Sequence, residues 1–405
     1  MKRKINLLPI IIFVFVLVIL NWYVTNGLLI LFPSSYFQSI FTVIILTIVI
    51  SFITAIIRFS KYGMDALFKF ATHSFIVIFV AEVASAFILF VGDIVRLAFA
   101  LFGKLTAENF LLSKIYTFSI IAFVVFIVVI LIFIDGIVRG KYAYRVIKKT
   151  LFFDDLPAAF DGFTITQISD VHSGSFNNKK AVQKGIDLIN AQKSDLFVFT
   201  GDLVNNKADE IIPWIPLFKQ VKGKYGQFSI LGNHDYGDYI KWDNEPQKRE
   251  NLENLKKHHQ EIGFKLLLDE HINIQKDQQK IILVGVENWG IGFGERGDLN
   301  KAVSGTSQND FKILLSHDPS HFDAQVKTYP SKIDLTLSGH THGMQFGIEA
   351  FGIKWSPVKY RYKHWAGLKE EFGRYLYINR GFGFLGFSGR IGIWPEITVI
   401  ELKRK

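Results

Sequence analysis

Polar residues that could hold metal ions recur in the second half of the chain, each group directly after a short apolar run. Asp170 and His172 follow FTITQIS, and Asp202 follows LFVFTG. Three further groups, after FSIL, KILLS and DLTLS, contain Asn233, His234, Asp235, His317, His340 and His342. Carboxylate, carboxamide and imidazole ligands suit manganese, iron or zinc better than calcium. Because the chain contains no cysteine, thiolate metal sites and thiol nucleophiles are excluded.

Taken alone, several of these groups have a simpler structural explanation. An aspartate and a histidine two residues apart after a strand commonly form a turn or cap a helix. His317 by itself is as readily a core histidine as a ligand. The group Gly-His-Thr-His-Gly is more specific, because its glycines let the backbone approach closely and two imidazoles one residue apart favour ligation. Gly-Asn-His-Asp is intermediate, since it combines turn-forming residues with three potential ligands or acids.

The polar groups must be positioned by the elements around them. From about residue 151 onward, short β-rich runs alternate with helical segments. The predicted helices are 180–192, 211–221 and 245–262, and the predicted strands are 163–169, 196–200, 227–231, 281–286, 311–315, 333–337, 375–379 and 397–402. In an open α/β sheet the carboxyl ends of the strands form the crevice that binds ligands. Residues 151–405 are therefore predicted to form an α/β domain whose strand ends bring the polar groups to one rim.

Residues 1–150 are predicted to form a separate domain of about four transmembrane helices. A helix needs ~20 apolar residues to cross a bilayer, and the stretches near or above that length are 5–24, 36–57, 72–101 and 116–134. The third stretch is over-long, and its second half is expected to leave the hydrocarbon with Asp93 and Arg96 paired. Glu82 in the same stretch is a functional candidate, and a protonated or bundle-paired structural glutamate is the alternative.

The formal net charge of +10 belongs mainly to the membrane half. Residues 1–150 contain 14 Lys and Arg against 5 Asp and Glu, whereas the remaining residues contain 32 against 31. The second half thus offers no basic stripe for a phosphate backbone, and we expect no nucleic-acid partner. Eleven basic residues beside the spans fall on one side, and only Lys104 and Lys114 fall on the other. If the number of spans is even, this bias places residues 151–405 in the cytoplasm.

In this order, the groups D-x-H, G-D, G-N-H-D, H and G-H-x-H resemble the calcineurin-like metallophosphoesterase superfamily over about residues 163–402. The tail YINRGFGF…RIGIWPEITVIEL is similar to its bacterial membrane-associated branch. The resemblance implies a four-layer α-β-β-α sandwich, the bacterial inner membrane, and two divalent metal ions, with manganese favoured and iron or zinc possible. It also implies that Asp202 bridges the ions, with Asp170, His172 and His342 completing one site and Asn233, His317 and His340 the other.

The reaction that this resemblance implies is hydrolysis of a phosphomonoester, a phosphodiester or a pyrophosphate by a hydroxide held between the two ions. His234 would protonate the leaving oxygen, with Asp235 orienting its ring. The alternative for His234 is a structural role in sealing its turn. Two other functions remain open for the whole chain: a non-catalytic scaffold, and a membrane sensor or transporter with a regulatory phosphoesterase domain.

The walls of the pocket must decide the substrate, because the metal ligands are common to all three reactions. The expected walls are segments 289–306 and 351–368, and the second carries Lys354, Lys359, Arg361, Lys363 and His364 among aromatic residues. These cations could bind a second phosphate or a lipid headgroup, or belong to a solvated loop. Segment 381–394 is expected either to enter the membrane interface or to pack in the core. The expected partners are the membrane and a phosphorylated small molecule or lipid.

Overall fold

The computed structural model describes residues 8–32, 34–62, 65–101, 116–350 and 352–405. Lys104, Lys114 and the basic residues of the N-terminus, which entered the charge argument, lie outside these ranges. Contacts divide the chain into two compact units, Met1–Asp135 and Gly136–Lys405. Residues on both sides of the predicted boundary at residue 150 form one strand, so this stretch lies within the second unit.

Apolar helices build the first unit, and in chain order they are α1 (Leu8–Leu28), α2 (Ser35–Tyr62), α3 (Ala66–Leu101) and α4 (Tyr116–Val138). Helices satisfy every backbone amide internally, which a hydrocarbon environment requires. Within the described ranges, three segments are long and apolar enough to cross a membrane, Tyr36–Arg58, Ala66–Leu101 and Tyr116–Tyr142, and Ile12–Leu28 is a shorter apolar helix. The predicted helical membrane region is therefore confirmed, with three to four apolar helices.

Polar contacts join the helices of the first unit. The buried carboxylate of Glu82 accepts a hydrogen bond from Asn21 Nδ2 at 3.0 Å. Asp93 lies 3.2 Å from Arg96, as predicted, and it also accepts a hydrogen bond from the hydroxyl of Tyr23. Glu82 therefore has a partner within its own unit, which agrees with the bundle-paired alternative.

The second unit consists of short strands and helices. Its helices are α5 (Lys179–Ala191), α6 (Ile215–Phe218), α7 (Glu245–Ile262), α8 (Leu299–Val303) and α9 (Ser320–Ala324). Its strands are β1 (Arg145–Phe153), β2 (Thr164–Ile168), β3 (Leu196–Thr200), β4 (Gln227–Ile230), β5 (Lys265–Leu266), β6 (Glu270–Lys276), β7 (Gln279–Gly285), β8 (Trp289–Gly290), β9 (Gly294–Glu295), β10 (Lys312–Leu315), β11 (Leu335–Ser338), β12 (Ile348–Ala350), β13 (Ile353–Trp355), β14 (Gly367–Glu371), β15 (Arg374–Ile378) and β16 (Glu396–Arg404).

The longer strands form two mixed sheets whose central strands are parallel. In one sheet the order is β1-β16-β2-β3-β4-β5, and β16 is antiparallel to β2. In the other the order is β14-β15-β11-β10-β7-β6, with antiparallel pairs at both edges. Because parallel neighbours end at the same edge of a sheet, β2, β3 and β4 end together, and so do β10 and β11.

Strand β3 shows how the sequence specifies the layers. Leu196 and Val198 pack in a core shared with the other sheet, whereas Phe197 and Phe199 point the opposite way, into a core formed with α5 and α7. This alternation is the period of two that a strand imposes on its side chains. A third core joins β7, β10 and β15 to α8 and α9. The layers are thus helix, sheet, sheet and helix, and the predicted α-β-β-α sandwich is confirmed.

One sequence expectation differs from the structure, and for two residues of another segment the structure agrees with the core alternative. The predicted helix at 211–221 is a 3₁₀ segment, Ala208–Trp214, followed by the single turn α6, because Pro213 and Pro216 lack the amide hydrogens that a longer helix needs. In segment 381–394, Phe382 and Phe384 are buried, and the ring of Phe382 stacks on Tyr144 with the centroids 4.4 Å apart. These two aromatic residues therefore belong to the core rather than to a membrane interface.

Candidate metal centre

The predicted ligands follow the carboxyl ends of β2, β3 and β4 in one sheet and of β10 and β11 in the other. Backbone hydrogen bonds tie the loops together: Asp170 N donates to Gly201 O at 2.9 Å, and His172 N donates to Asp202 O at 3.1 Å. Gly339 lies where a Cβ atom would collide with the side chains of Asp170 and Ser169, so the loop after β11 requires glycine to approach the first sheet. Close loop packing of this kind brings five separate segments to one rim.

Five of the predicted ligands have left-handed backbone conformations, with φ between 47° and 73°: Asp170, His172, Asp202, His340 and His342. This conformation costs an L-amino acid roughly 1–2 kcal/mol. Such residues persist where the surrounding structure holds them, and they concentrate at functional sites. The strain therefore falls on the residues whose chemistry the sequence singled out.

The first cluster contains Asp170, His172 and His342. Each offers a ligand atom, and these atoms all lie within 4.8 Å of one another. His342 Nε2 lies 3.0 Å from His172 Nε2 and 3.2 Å from Asp170 Oδ1. Asp170 and His172 are fully buried, so these donors converge where little water competes with them.

The second cluster contains Asp202, His317 and His340, and Asn233 joins it. Asn233 Oδ1 lies 3.1 Å from His317 Nε2 and 2.9 Å from His340 Nδ1. Asp202 Oδ2 lies 3.2 Å from His317 Nε2 and 3.5 Å from His172 Nε2 of the first cluster. One carboxylate oxygen thus stands next to both clusters.

The atoms of the second cluster fit a cation. His317 Nδ1 lies 2.7 Å from the carbonyl oxygen of Thr200, which can only accept, so Nδ1 carries a proton. A neutral His317 then points the lone pair of Nε2 at Asp202 Oδ2 and Asn233 Oδ1, which repel it. Burial lowers the pKa of His317, but the Asp202 carboxylate outweighs burial and raises this pKa to about 10. Positive charge is therefore strongly favoured between these atoms.

Neighbouring groups fix the orientation of the ligands. Asp318 Oδ2 lies 3.4 Å from His340 Nε2 and accepts a hydrogen bond from Tyr362, which leaves His340 Nδ1 as the ligand atom. Asn233 Nδ2 donates to the hydroxyl of Tyr239 at 2.8 Å, which turns the amide oxygen towards the cluster. Sequence reasoning missed Asp318 and Tyr239; the signal for Asp318 was its position directly after His317.

His234 lies beside the two clusters without joining either of them. Its ring Nδ1 lies 2.8 Å from the carbonyl oxygen of Asn205, so Nδ1 carries a proton and the ring can exchange a proton with a substrate only through Nε2. Its backbone N–H donates to Asp202 Oδ1 at 2.8 Å. The backbone of His234 thus holds the carboxylate that both clusters share, while its ring lines the cavity.

Asp235 does not orient the ring of His234, which corrects the role expected for it. Its carboxylate instead accepts hydrogen bonds from backbone amides after two strands, at 2.8 to 3.2 Å, from Asp202, Leu203, Val204 and Gly232. The Asn205 carbonyl holds the ring in its place. The Asp235 carboxylate therefore has a structural role, because its hydrogen bonds connect the loops after β3 and β4.

Comparison with known proteins agrees with this site. A family model described as calcineurin-like phosphoesterase matches residues 163–344, and one described as probable calcineurin-like phosphoesterase, transmembrane domain, matches residues 5–141. A Bacillus subtilis protein named as the uncharacterized metallophosphoesterase YkuE is 31% identical over 253 residues, which cover 61% of this chain and 82% of the relative. The chain belongs to the calcineurin-like phosphoesterase family.

Other relatives of this phosphoesterase are also named as metallophosphoesterases, and one of them is named as a transmembrane protein. A Danio rerio protein named as a transmembrane protein with metallophosphoesterase domain is 26% identical over 66% of this chain and 60% of the relative. An uncharacterized metallophosphoesterase of Campylobacter jejuni is 27% identical over 77% of this chain and 76% of the relative. The family uses a dinuclear site of divalent metals, and the two clusters are the candidate ligand groups in this phosphoesterase.

The backbone contacts of Asp235 predict a stability effect in this phosphoesterase. Asp235→Ala leaves several buried N–H groups unpaired, at about 1–3 kcal/mol each, so we expect the free energy of unfolding to fall by about 3 kcal/mol or more. Denaturant unfolding of the detergent-solubilised full chain measures this fall. Asp187→Ala, at an exposed position on α5, is the matched control. A stable Asp235→Ala protein that had lost turnover would instead restore the expected role beside His234.

Proposed function

We propose that the chain is a membrane-anchored dinuclear-metal phosphoesterase that hydrolyses phosphoester or pyrophosphate bonds. The observation that carries the proposal is the position of Asp202 Oδ2, which lies 3.2 Å from His317 Nε2 and 3.5 Å from His172 Nε2. A shared carboxylate is what a pair of closely spaced cations needs to be held together. The donor set favours manganese, with iron or zinc as alternatives.

In this proposal each residue has a defined task. One ion would be held by Asp170, His172, Asp202 and His342, and the other by Asp202, Asn233, His317 and His340. When bound, the ions would supply Lewis acidity and make a water-derived nucleophile available near neutral pH. His234 would donate a proton from Nε2 to the leaving oxygen. Because Asn205 already engages Nδ1, the donating form is the doubly protonated imidazolium.

Metal analysis combined with turnover tests this function. The full chain in detergent should contain divalent metal and hydrolyse bis(p-nitrophenyl) phosphate or p-nitrophenyl phosphate. A chelator should remove both properties, and manganese, iron or zinc added back separately should restore turnover to different extents. A chain that bound metal and hydrolysed neither compound would favour the scaffold alternative.

We also propose an amphipathic substrate, a lipid-linked phosphate. The cavity beside the metal-site residues is about 490 Å³, and its lining includes the apolar residues Met344, Val358 and Leu385 together with Tyr360. Met344 and Tyr360 are 58% and 79% exposed, which leaves apolar surface available to an acyl chain. A higher kcat/KM for a detergent-solubilised lipid phosphate or pyrophosphate than for bis(p-nitrophenyl) phosphate would support this substrate. The reverse preference would refute it.

The proposed location is the bacterial inner membrane, with several spans and the second unit in the cytoplasm. The distribution of lysine and arginine between the spans supports this orientation. Because the chain contains no cysteine, single cysteines introduced on exposed surfaces of the second unit would report its side. Labelling of such cysteines by a membrane-impermeant maleimide in intact spheroplasts would contradict a cytoplasmic position.

One observation favours a second candidate function, sensing or transport by the first unit. Asn21, which donates to Glu82, lines a cavity of about 320 Å³ together with Asn26, Gln38 and Thr42. Polar side chains within a membrane segment commonly mark a ligand or ion path. If the helices serve as an anchor, Glu82→Gln should leave turnover of the full chain unchanged. A changed turnover, with metal content preserved, would favour the sensor or transporter.

A further inference from the structure

The side chain of Arg361 lines the cavity that contains the metal-site residues and adds a positive charge to it. Arg361 lines this cavity together with Asp202, His234 and His340. Arg361 Nη2 donates to the carbonyl oxygen of Ile291 at 3.1 Å, and Arg361 Cζ lies 4.6 Å from the centroid of the Phe293 ring. The carbonyl and the ring hold the guanidinium in one place. It is therefore pre-organised even though much of the residue is exposed to solvent.

The ring of Phe293 contacts both Arg361 and a predicted metal ligand, His340. Its centroid is 4.5 Å from the centroid of the His340 ring, at an interplanar angle of 69°. The guanidinium of Arg361 lies over the same ring. One aromatic side chain thus contacts both the positive charge and a member of the second cluster. Arg361, Phe293 and His340 also line the same cavity, so a substrate bound at the clusters can extend to Arg361 within it.

The described contacts of Arg361 do not neutralise it. They are the Ile291 carbonyl, the ring of Phe293, and the ring and hydroxyl of Tyr362, none of which is negatively charged. Arg296 differs, because its guanidinium pairs with Asp238 at 2.7 Å. A guanidinium has five N–H donors in a planar fork that matches phosphate oxygens. Arg361 therefore keeps both charge and donors for a ligand in the cavity.

Arg361 also lines a second cavity, which contains one further cation, Lys363. This second cavity, of about 410 Å³, is lined by Arg361, Tyr362, Lys363 and His364. The carboxylate in its lining, Asp323, is already engaged by Lys327 at 3.1 Å and by Lys369 at 2.8 Å. Arg361 thus lines both the metal-site cavity and the second cavity.

We propose that Arg361 binds the second phosphate of a substrate whose first phosphate lies at the metal clusters, so that the chain is specific for pyrophosphate esters. The inference rests on the proposed phosphoesterase function and narrows it. Hydrolysis forms a bond from the oxygen of water to the first phosphorus and breaks the bond from this phosphorus to the bridging oxygen. The bridging oxygen leaves with the electron pair on the second phosphate, accepts a proton from His234, and belongs to a phosphate whose negative charge Arg361 stabilises. One proton of the water restores that of His234, and the other passes to the first product phosphate or to solvent.

A competition experiment tests this subsite whether or not the competing nucleotide is itself hydrolysed. In this experiment the full chain hydrolyses bis(p-nitrophenyl) phosphate in the presence of manganese, and ADP-ribose or AMP is added as a competitor. ADP-ribose contains a pyrophosphate, whereas AMP contains a single phosphate. We expect ADP-ribose to bind more tightly than AMP. Arg361→Met should remove about 10- to 100-fold of the affinity for ADP-ribose, the effect of losing hydrogen bonds to a charged group, and should change the affinity for AMP little. Arg361→Lys should recover part of the loss.

Lys359→Met is the matched control, since Lys359 is a cation of the same segment that lines neither cavity. The ratio of the affinities for ADP-ribose and AMP should be the same in Lys359→Met as in the unmodified chain. The subsite is refuted if the unmodified chain binds AMP as tightly as ADP-ribose, or if Arg361→Met weakens both ligands equally. If the unmodified chain hydrolyses no phosphoester with any metal, the proposed function fails. Equilibrium dialysis of the same two nucleotides then tests the subsite independently.

Discussion

Asp202→Asn is expected to lower both metal content and turnover, the latter by at least about 100-fold. Removal of a residue that merely orients a metal ligand lowers metal affinity or activity by about 10- to 100-fold. Asp202 should matter more, because its carboxylate lies next to both clusters. Asparagine keeps an acceptor oxygen for the N–H of His234, so the loop after β4 should retain its fold. The negative charge that favours cations beside His317 is lost.

Elemental analysis of the purified full chain and turnover of a chromogenic diester measure the two effects of Asp202→Asn together. Asp187→Asn removes an exposed carboxylate from α5 and should change neither quantity. Thermal unfolding of both variants separates loss of metal from loss of fold. Unchanged metal content and turnover in a folded Asp202→Asn protein would refute the shared-carboxylate site.

His234→Ala should produce a different result, a fall in turnover of about 10²- to 10⁴-fold with metal content preserved. Its ring contacts the Asn205 carbonyl and lies in the cavity, so removal of the ring takes no predicted ligand away from either cluster. The N–H that holds Asp202 Oδ1 belongs to the backbone and remains in the variant. The metal site and the proton donor should therefore be separable by mutation.

The leaving group provides the control for His234→Ala. A proton donor matters most when the leaving oxygen is strongly basic, so an alkyl phosphoester should lose much more rate than a p-nitrophenyl ester. An equal loss on both esters would indicate that the ring positions the substrate. Turnover like that of the unmodified chain on the alkyl ester would leave His234 with the structural role of sealing its turn.

The strand-end groups could be located from the sequence because a strand has a simple period and a clear end. The apolar run before Asp202, for example, has side chains that alternate between two cores, and the polar group begins where the run stops. Placement of these groups at one rim then follows from the parallel order of the central strands. That part of the architecture depends on local patterns, which the sequence displays directly.

The groups that orient the ligands depend on contacts between segments far apart in the chain. Tyr362 reaches Asp318 across 44 residues, and Asn205 reaches the ring of His234 across 29. No periodic pattern carries this information. The resemblance implies a role for Asp235 beside the ring of His234, whereas its carboxylate reaches back to amides of the preceding loop. Phe382 and Phe384 likewise lack a strand period, although tertiary packing buries both.

The left-handed ligands have a consequence for the cell. Five strained residues weaken the native state around the metal centre, and bound cations would offset that cost. A chain that folds while metal is scarce then spends more time partly open, where proteases act. Metal supply would therefore set how many copies of the protein persist as well as how fast each one works. Metal starvation would lower the amount of this protein in the cell, and metal repletion would raise it, independently of any substrate.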